Sequence, residues 1–260
     1  MRATSIPNHE RSFLQNKKDS HGKKFKLKEM TVPIKGTGGE VMEYMSCRRE
    51  NEDSSFYYEA AFNKTQVVIH YTAGYLKGDV ATLTTPSNHV SVPFIIARNG
   101  TILNLWSSAF WSYHLGPGAR GGNTAGSKRT IAIEISNIGY LNKVGNNLVS
   151  PYSSTDVYCS LDEKQFYTEL DAPYRDHRYF ATFTNRQYQS LIILLRYLTA
   201  QYNIPKTFLS TADRYRVGSA EMMTNFKGIT SHVNYRSSGK WDIGPACDWD
   251  RLINGVLGSV

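Results

Sequence analysis

His232 and Asp242 stand ten residues apart in the stretch Ser231-His232-Val233-Asn234-Tyr235-Arg236-Ser237-Ser238-Gly239-Lys240-Trp241-Asp242-Ile243-Gly244-Pro245, with Lys240 two residues before the aspartate. Imidazole and carboxylate both ligate first-row metals, and zinc takes both in catalytic sites. A histidine and an aspartate at this spacing also occur by chance, so the pair needs a ligand from elsewhere. Val67-Val68-Ile69-His70-Tyr71-Thr72 offers one. Its apolar run reads as a short buried strand that delivers His70 at its C-terminal end, where α/β folds place their chemistry. Glu134, in Thr130-Ile131-Ala132-Ile133-Glu134-Ile135-Ser136, adds a further carboxylate. A catalytic zinc requires about this set: three protein ligands, an open position for water and a base.

The flanking pattern supplies elements to hold these groups. Glu134 shares the parity of Thr130 and Ala132, opposite Ile131, Ile133 and Ile135, so a strand there turns its carboxylate away from an isoleucine-rich face. On the residues alone, a solvated glutamate fits equally well. His89 to Ala97 reads as a strand that Pro93 confines to an edge or a bulge, and Asn99-Gly100 as a hairpin turn into Thr101–Leu105. Thr184 and Gln187 form a capping box for a helix whose face carries Tyr188, Leu191, Ile192, Leu195, Leu198 and Tyr202. A last helix starts near Asp248 and buries Trp249, Leu252 and Ile253. Trp106 to Gly122 is rich in aromatics and glycine, and suits either a cleft lining or core packing.

The 260 residues carry a net charge of +8. Residues 1–30 hold eight basic and three acidic side chains, so most of the excess sits there. With little periodicity, residues 1–30 read as a flexible basic arm, either solubilising or attracted to an anionic polymer or membrane surface, and residues 1–56 as that arm with a lead-in segment. No aromatic interleaving supports sequence-specific nucleic-acid binding. Cys47, Cys159 and Cys247 are odd in number and form no CxxC pair, which favours a reducing folding compartment. No stretch reaches transmembrane length, and the first thirty residues lack the apolar core of a secretory leader.

Five segments together resemble the zinc-dependent N-acetylmuramoyl-L-alanine amidases of the type-2 family, related to phage amidase lysozymes and peptidoglycan recognition proteins. They are Val68–Thr72, Phe94–Ile102, Tyr113-His114-Leu115-Gly116, Ile131–Ile135, and His232 to Asp242 with Gly244-Pro245, in order across roughly residues 61–255. The resemblance implies an α/β fold with a mixed central sheet flanked by helices, in one catalytic domain over 57–260. Residues 139–178 then form a family-variable insertion packing over or beside the cleft.

The resemblance also implies roles. His70, His232 and Asp242 hold Zn²⁺, Glu134 is the base, Lys240 stabilises the oxyanion, and His114, Tyr71 and Trp111 contact substrate. Lys240 and Asp242 would share a strand face. Two departures stand out: Pro93 replaces a frequent family histidine, and Ile243 replaces the proline that usually follows the ligand aspartate. Cys247, five residues past Asp242, is a rival ligand in the wrong register. The implied activity, from a monomer, is hydrolysis of the bond between N-acetylmuramic acid and L-alanine in peptidoglycan. A non-catalytic peptidoglycan-binding module and a zinc endopeptidase cutting the stem peptide are the competing readings. A chain made in the cytoplasm without a leader would reach the wall on phage lysis or non-classical export, or recycle muropeptides inside the cell.

Overall fold

A computed structural model describes residues 1–258. The chain opens with α1 (Ile6–Asn16), then β1 (Phe25–Pro33) and β2 (Val41–Arg49). Next come β3 (Gln66–Tyr71), α2 (Leu76–Leu83), β4 (Phe94–Ile96) and β5 (Ile102–Asn104). Helix α3 (Asn123–Arg129) leads into β6 (Thr130–Ile135). Five short strands follow: β7 (Tyr140–Val144), β8 (Asn147–Val149), β9 (Val157–Ser160), β10 (Tyr167–Tyr174) and β11 (His177–Ala181). The remainder is α4 (Asn185–Tyr202), α5 (Thr211–Arg214), α6 (Ala220–Asn225), β12 (Gly228–Ser231) and α7 (Trp249–Leu257).

A seven-stranded mixed sheet, ordered β1-β2-β5-β4-β6-β3-β12, forms the centre. Strands β4, β6, β3 and β12 run parallel. Their apolar runs are buried on both faces, as parallel strands require. Ile131, Ile133 and Ile135 pack on one side against α4 and α7, in a core with Val67, Ile69, Leu191, Leu195 and Leu252. Ala132 and Ile95 face the other side, with Phe13, Leu76 and Val80 of α1 and α2. The α4 capping box is present, and Asp248 caps α7. Pro93 lies just outside β4, which is three residues long and pairs antiparallel with β5 through the Asn99-Gly100 turn.

The flexible-arm reading of residues 1–30 is corrected. Ile6, Glu10 and Phe13 recur at helical spacing on the buried side of α1. The Glu10 carboxylate accepts from Arg98 N and Asn99 N at 2.7 and 3.0 Å, pinning the β4–β5 turn. Strand β1 pairs with β2 over nine residues and forms the edge of the central sheet. Phe25 and Leu27 meet the α1–α2 core while the alternating Lys24, Lys26 and Lys28 stay exposed. Charged residues on an edge strand discourage pairing with other chains. In composition the same alternation reads as a soluble tail.

Residues 139–178 fall largely within a second, five-stranded antiparallel sheet, β10-β11-β7-β8-β9. Its own small core contains Leu141, Leu148, Tyr158 and Tyr167. Among the described residues no helix is long and apolar enough to cross a membrane. The three cysteines are free and buried.

One glycine has a measurable consequence. Gly228, at the start of β12, has φ +141°, and a Cβ there would lie 2.4 Å from the Thr207 carbonyl oxygen. Both backbone strain and a clash with backbone oppose any side chain. Gly228→Ala is expected to cost about 2–3 kcal/mol, read as a melting point lower by roughly 5–10 °C.

Candidate metal centre

Register brings the candidate ligands to one end of the sheet. His70 of β3 lies directly opposite Glu134 of β6. Ser231 of β12 pairs with Ile69, so His232, the next residue, emerges level with His70. The chain then turns through a 3-10 segment, His232–Asn234, stapled by reciprocal Ser231 and Asn234 contacts. The Asn234 side-chain amide donates to the carbonyls of Asp213, Arg214 and Arg216. Val233 N donates to Asp242 O at 2.9 Å, which returns the loop to the sheet and sets Asp242 beside both histidines. Ile243 is fully buried in the main core and its peptide bond with Asp242 is cis.

His70 Nδ1 lies 2.9 Å from His232 Nδ1 and 3.3 Å from Asp242 Oδ2, and His232 Nδ1 lies 2.9 Å from that same oxygen. All three side chains are buried. Their tautomers follow from their outer partners. The Thr130 hydroxyl donates to Gly126 O at 2.8 Å, so it accepts from His114 Nε2–H, 2.7 Å away. The bare His114 Nδ1 then accepts from His70 Nε2–H at 3.1 Å. His232 Nε2–H donates to Leu115 O at 2.9 Å. Both Nδ1 lone pairs therefore point at each other and at a carboxylate oxygen.

Three acceptors converging with no proton between them repel unless a cation sits among them. Tetrahedral ligands at about 2.0–2.1 Å from zinc are roughly 3.3 Å apart, close to the separations here. The donor set fits zinc. Burial, then the neighbouring His232, lowers the His70 pKa to about 4, which keeps its lone pair available. Burial opposes ionisation of Asp242, but positive charge beside it, on His232 and His70 when these are protonated, outweighs burial and holds the carboxyl well below the usual carboxylate range.

His114 stands behind this cluster. Both its ring nitrogens are committed, one to Thr130 and one to His70, and it is not among the residues that line the neighbouring cavity. Outer hydrogen bonds of this kind typically contribute 10–100-fold to metal affinity. His114→Phe, which cannot accept from His70, is expected to weaken zinc binding by that factor in a competition titration. An unchanged affinity would rule out that contribution.

A cavity of about 330 Å³ opens beside the cluster, lined in part by Tyr71, Glu134, Tyr140, Tyr152, Lys240 and Asp242. Glu134 Oε2 is buried and has no hydrogen-bond partner. Burial, then repulsion from Asp242, raises its pKa well above the usual range, while Lys240 acts in the opposite sense. The Tyr71 hydroxyl is likewise buried and unpartnered. Lys240 reaches the cavity from a loop, in contrast to the strand geometry expected for it.

Trp111 lies elsewhere. It is buried in an aromatic cluster, stacked on Tyr58 at 4.3 Å with Lys128 over its ring, and it does not line this cavity. Trp106 packs in the α1–α2 core and donates to Ser91 Oγ. Cys247 is buried in the main core against the Tyr188 hydroxyl, outside the ligand cluster.

The second sheet contributes residues that no motif marked. Arg175, in the β10–β11 turn, donates to the carbonyls of Val233, Arg236 and Lys240 and so braces the loop that carries Asp242. Trp241 donates from Nε1 to Arg175 O at 3.1 Å and packs against Tyr140 and His177. Tyr152 reaches the cavity and donates to Ala73 O at 2.9 Å, whereas Tyr158 and Tyr167 are packing residues. Trp241 adjoins Asp242 in the sequence, the one signal that could have singled it out; no feature of the sequence marks Arg175.

Comparison with known proteins bears on this arrangement. The family model described as N-acetylmuramoyl-L-alanine amidase matches residues 62–245. No curated protein matches the sequence. Among solved structures, the N-acetylmuramyl-L-alanine amidase AmiD from E. coli, in complex with the substrate anhydro-N-acetylmuramic acid-L-Ala-D-gamma-Glu-L-Lys, is 22% identical with a TM-score of 0.48. That match covers 76% of this chain and 59% of AmiD. PlyL is 15% identical over 83% of this chain and 97% of its own, with a TM-score of 0.46. AmpD is 18% identical over 75% and 86% respectively, with a TM-score of 0.44. The family match spans most of the chain and contains His70, Glu134, His232 and Asp242. The chain belongs to the N-acetylmuramoyl-L-alanine amidase family.

Proposed function

We propose that this protein is a zinc-dependent hydrolase that cleaves the amide between the lactyl group of N-acetylmuramic acid and L-alanine of the peptidoglycan stem. The observation that carries the reading is the convergence of two bare Nδ1 atoms and one carboxylate oxygen beside Glu134, whose Oε2 is buried and unpartnered. Zinc held by His70, His232 and Asp242 would supply Lewis-acid polarisation of the scissile carbonyl and a more acidic water.

The chain's own groups divide the remaining work. Glu134 takes the proton of the attacking water and passes it to the departing L-alanine nitrogen. Burial and Asp242 push its pKa upward, and a nearby cation favours its ionised form. These opposed influences suit a group that must both accept and release a proton. Lys240 brings an ammonium to the cavity, where it offsets negative charge growing on the carbonyl oxygen. Tyr71 and Tyr152 border the same space and offer hydroxyls or ring faces to the muropeptide.

Analysis of digested cell walls tests the reading. Free stem peptides with N-terminal L-alanine, released from intact glycan, are the expected products. A new amino terminus inside the stem peptide would instead assign an endopeptidase, and tight wall binding without products would assign a non-catalytic module. Such a substrate sets the place of action at the wall or on fragments released from it.

A further inference from the structure

A second cavity, of about 320 Å³, lies at the β1–β2 edge of the central sheet. Strand β2 runs parallel to β5, β5 antiparallel to β4, and β4 parallel to β6. The C-terminal end of β2 therefore points away from the end that carries Glu134, with β5 and β4 between. Lys26 pairs with Arg48 and Lys28 with Ser46 in the β1–β2 register, so these four side chains share one face. All four line the cavity, over an apolar floor that includes Tyr57 and Leu105.

The charges there do not balance. Lys26, Lys28, Arg48 and Arg49 meet only the carboxylates of Glu52 and Asp53. Glu52 is taken by Lys26 at 2.7 Å. The Asp53 carboxylate accepts from Ser55 N. Among the described residues neither Lys28, Arg48 nor Arg49 has a carboxylate partner; Arg48 donates to Asn104 Oδ1 and to main-chain carbonyls. Arg49 is 6% exposed, donates to Thr84 O, and its buried Nε has no partner.

We infer that this cavity binds a phosphate ester of a small sugar or polyol. A doubly charged group with several equivalent oxygens suits the Lys28 ammonium and the unpartnered Arg49 Nε, with the positive charges of Lys26 and Arg48, already held by Glu52 and Asn104, beside them. The Tyr57 ring and Leu105 offer apolar surface to a carbon skeleton, which inorganic phosphate lacks. The volume is at the small end for ligand pockets, and fits one ring or short polyol with its phosphate. The site is remote from the metal centre and stands whether or not the reading of that centre is correct.

Calorimetric titration of the full chain with glucose 1-phosphate, glycerol 1-phosphate, glucose and inorganic phosphate tests the assignment at low salt. A phosphate ester is expected to bind at least tenfold more tightly than glucose or inorganic phosphate. Lys28→Glu is expected to weaken that binding at least tenfold, with the melting point and soluble muropeptide hydrolysis unchanged. Arg48→Gln is expected to act in the same direction. Equal binding of inorganic phosphate and both esters would reduce the site to simple ion attraction, and unchanged affinity in Lys28→Glu would overturn it.

Discussion

Glu134→Gln is expected to retain zinc at the wild-type stoichiometry and to lose wall hydrolysis by about 10²–10⁴-fold, the range general acid–base groups contribute. The amide matches the carboxylate in size and can still hydrogen-bond to water, but it cannot accept a proton. Glu134 lies outside the converging trio of His70, His232 and Asp242, so the ligand set survives its loss. Its Oε2 also has no protein partner, so the substitution breaks no hydrogen bond at that atom. Metal analysis alongside release of stem peptides distinguishes the outcomes. Full activity in Glu134→Gln would assign the base elsewhere, and loss of metal would make Glu134 a ligand.

Asp242→Ala is expected to lose the metal itself. The carboxylate is the single anionic member of the trio and is buried against both imidazoles. Without it, two neutral rings remain to offset the desolvation of a divalent ion, which two nitrogen donors do poorly. Zinc at a hundred times its dissociation constant stabilises a protein by about 2.7 kcal/mol. The wild type should therefore gain several degrees in melting temperature on zinc addition, and Asp242→Ala should gain none. Wall hydrolysis in this variant should fall at least as far as in Glu134→Gln. Zinc binding that survives in Asp242→Ala would mean the ion is held by other groups.

How much of this was open to reading from the residues depended on distance along the chain. His70, Glu134, His232 and Asp242 each sit in a short run whose pattern forecasts a strand end or a turn, and the parallel β3–β6–β12 register brings those ends together. Glu134 projects opposite the isoleucines, as its parity in the strand requires. Helices α4 and α7 announce themselves through caps and spacing.

In residues 1–30 alternating lysines dominate the composition and mask the fold. The few apolar groups that fold this segment become visible only against their partners: Phe13, Phe25 and Leu27 against α2 and β2, and Ile6 against the second sheet. The environments of His114 and Lys240 were also hidden. His114 is defined by a relay from Gly126 through Thr130 to His70, which joins three segments distant in sequence. Lys240 is placed by a loop that Arg175 braces from the second sheet. Trp111 shows the reverse problem, since an aromatic in a glycine-rich stretch fits a cleft and a core equally well until its neighbours are known.

Crystals of the zinc-loaded protein, measured on both sides of the zinc absorption edge, provide the most direct test of the metal centre. The account predicts one strong anomalous peak within about 2.0–2.2 Å of His70 Nδ1, His232 Nδ1 and an Asp242 carboxylate oxygen. A peak bound through the Nε2 atoms, or one held by other side chains while His70, His232 and Asp242 stand apart, would contradict it.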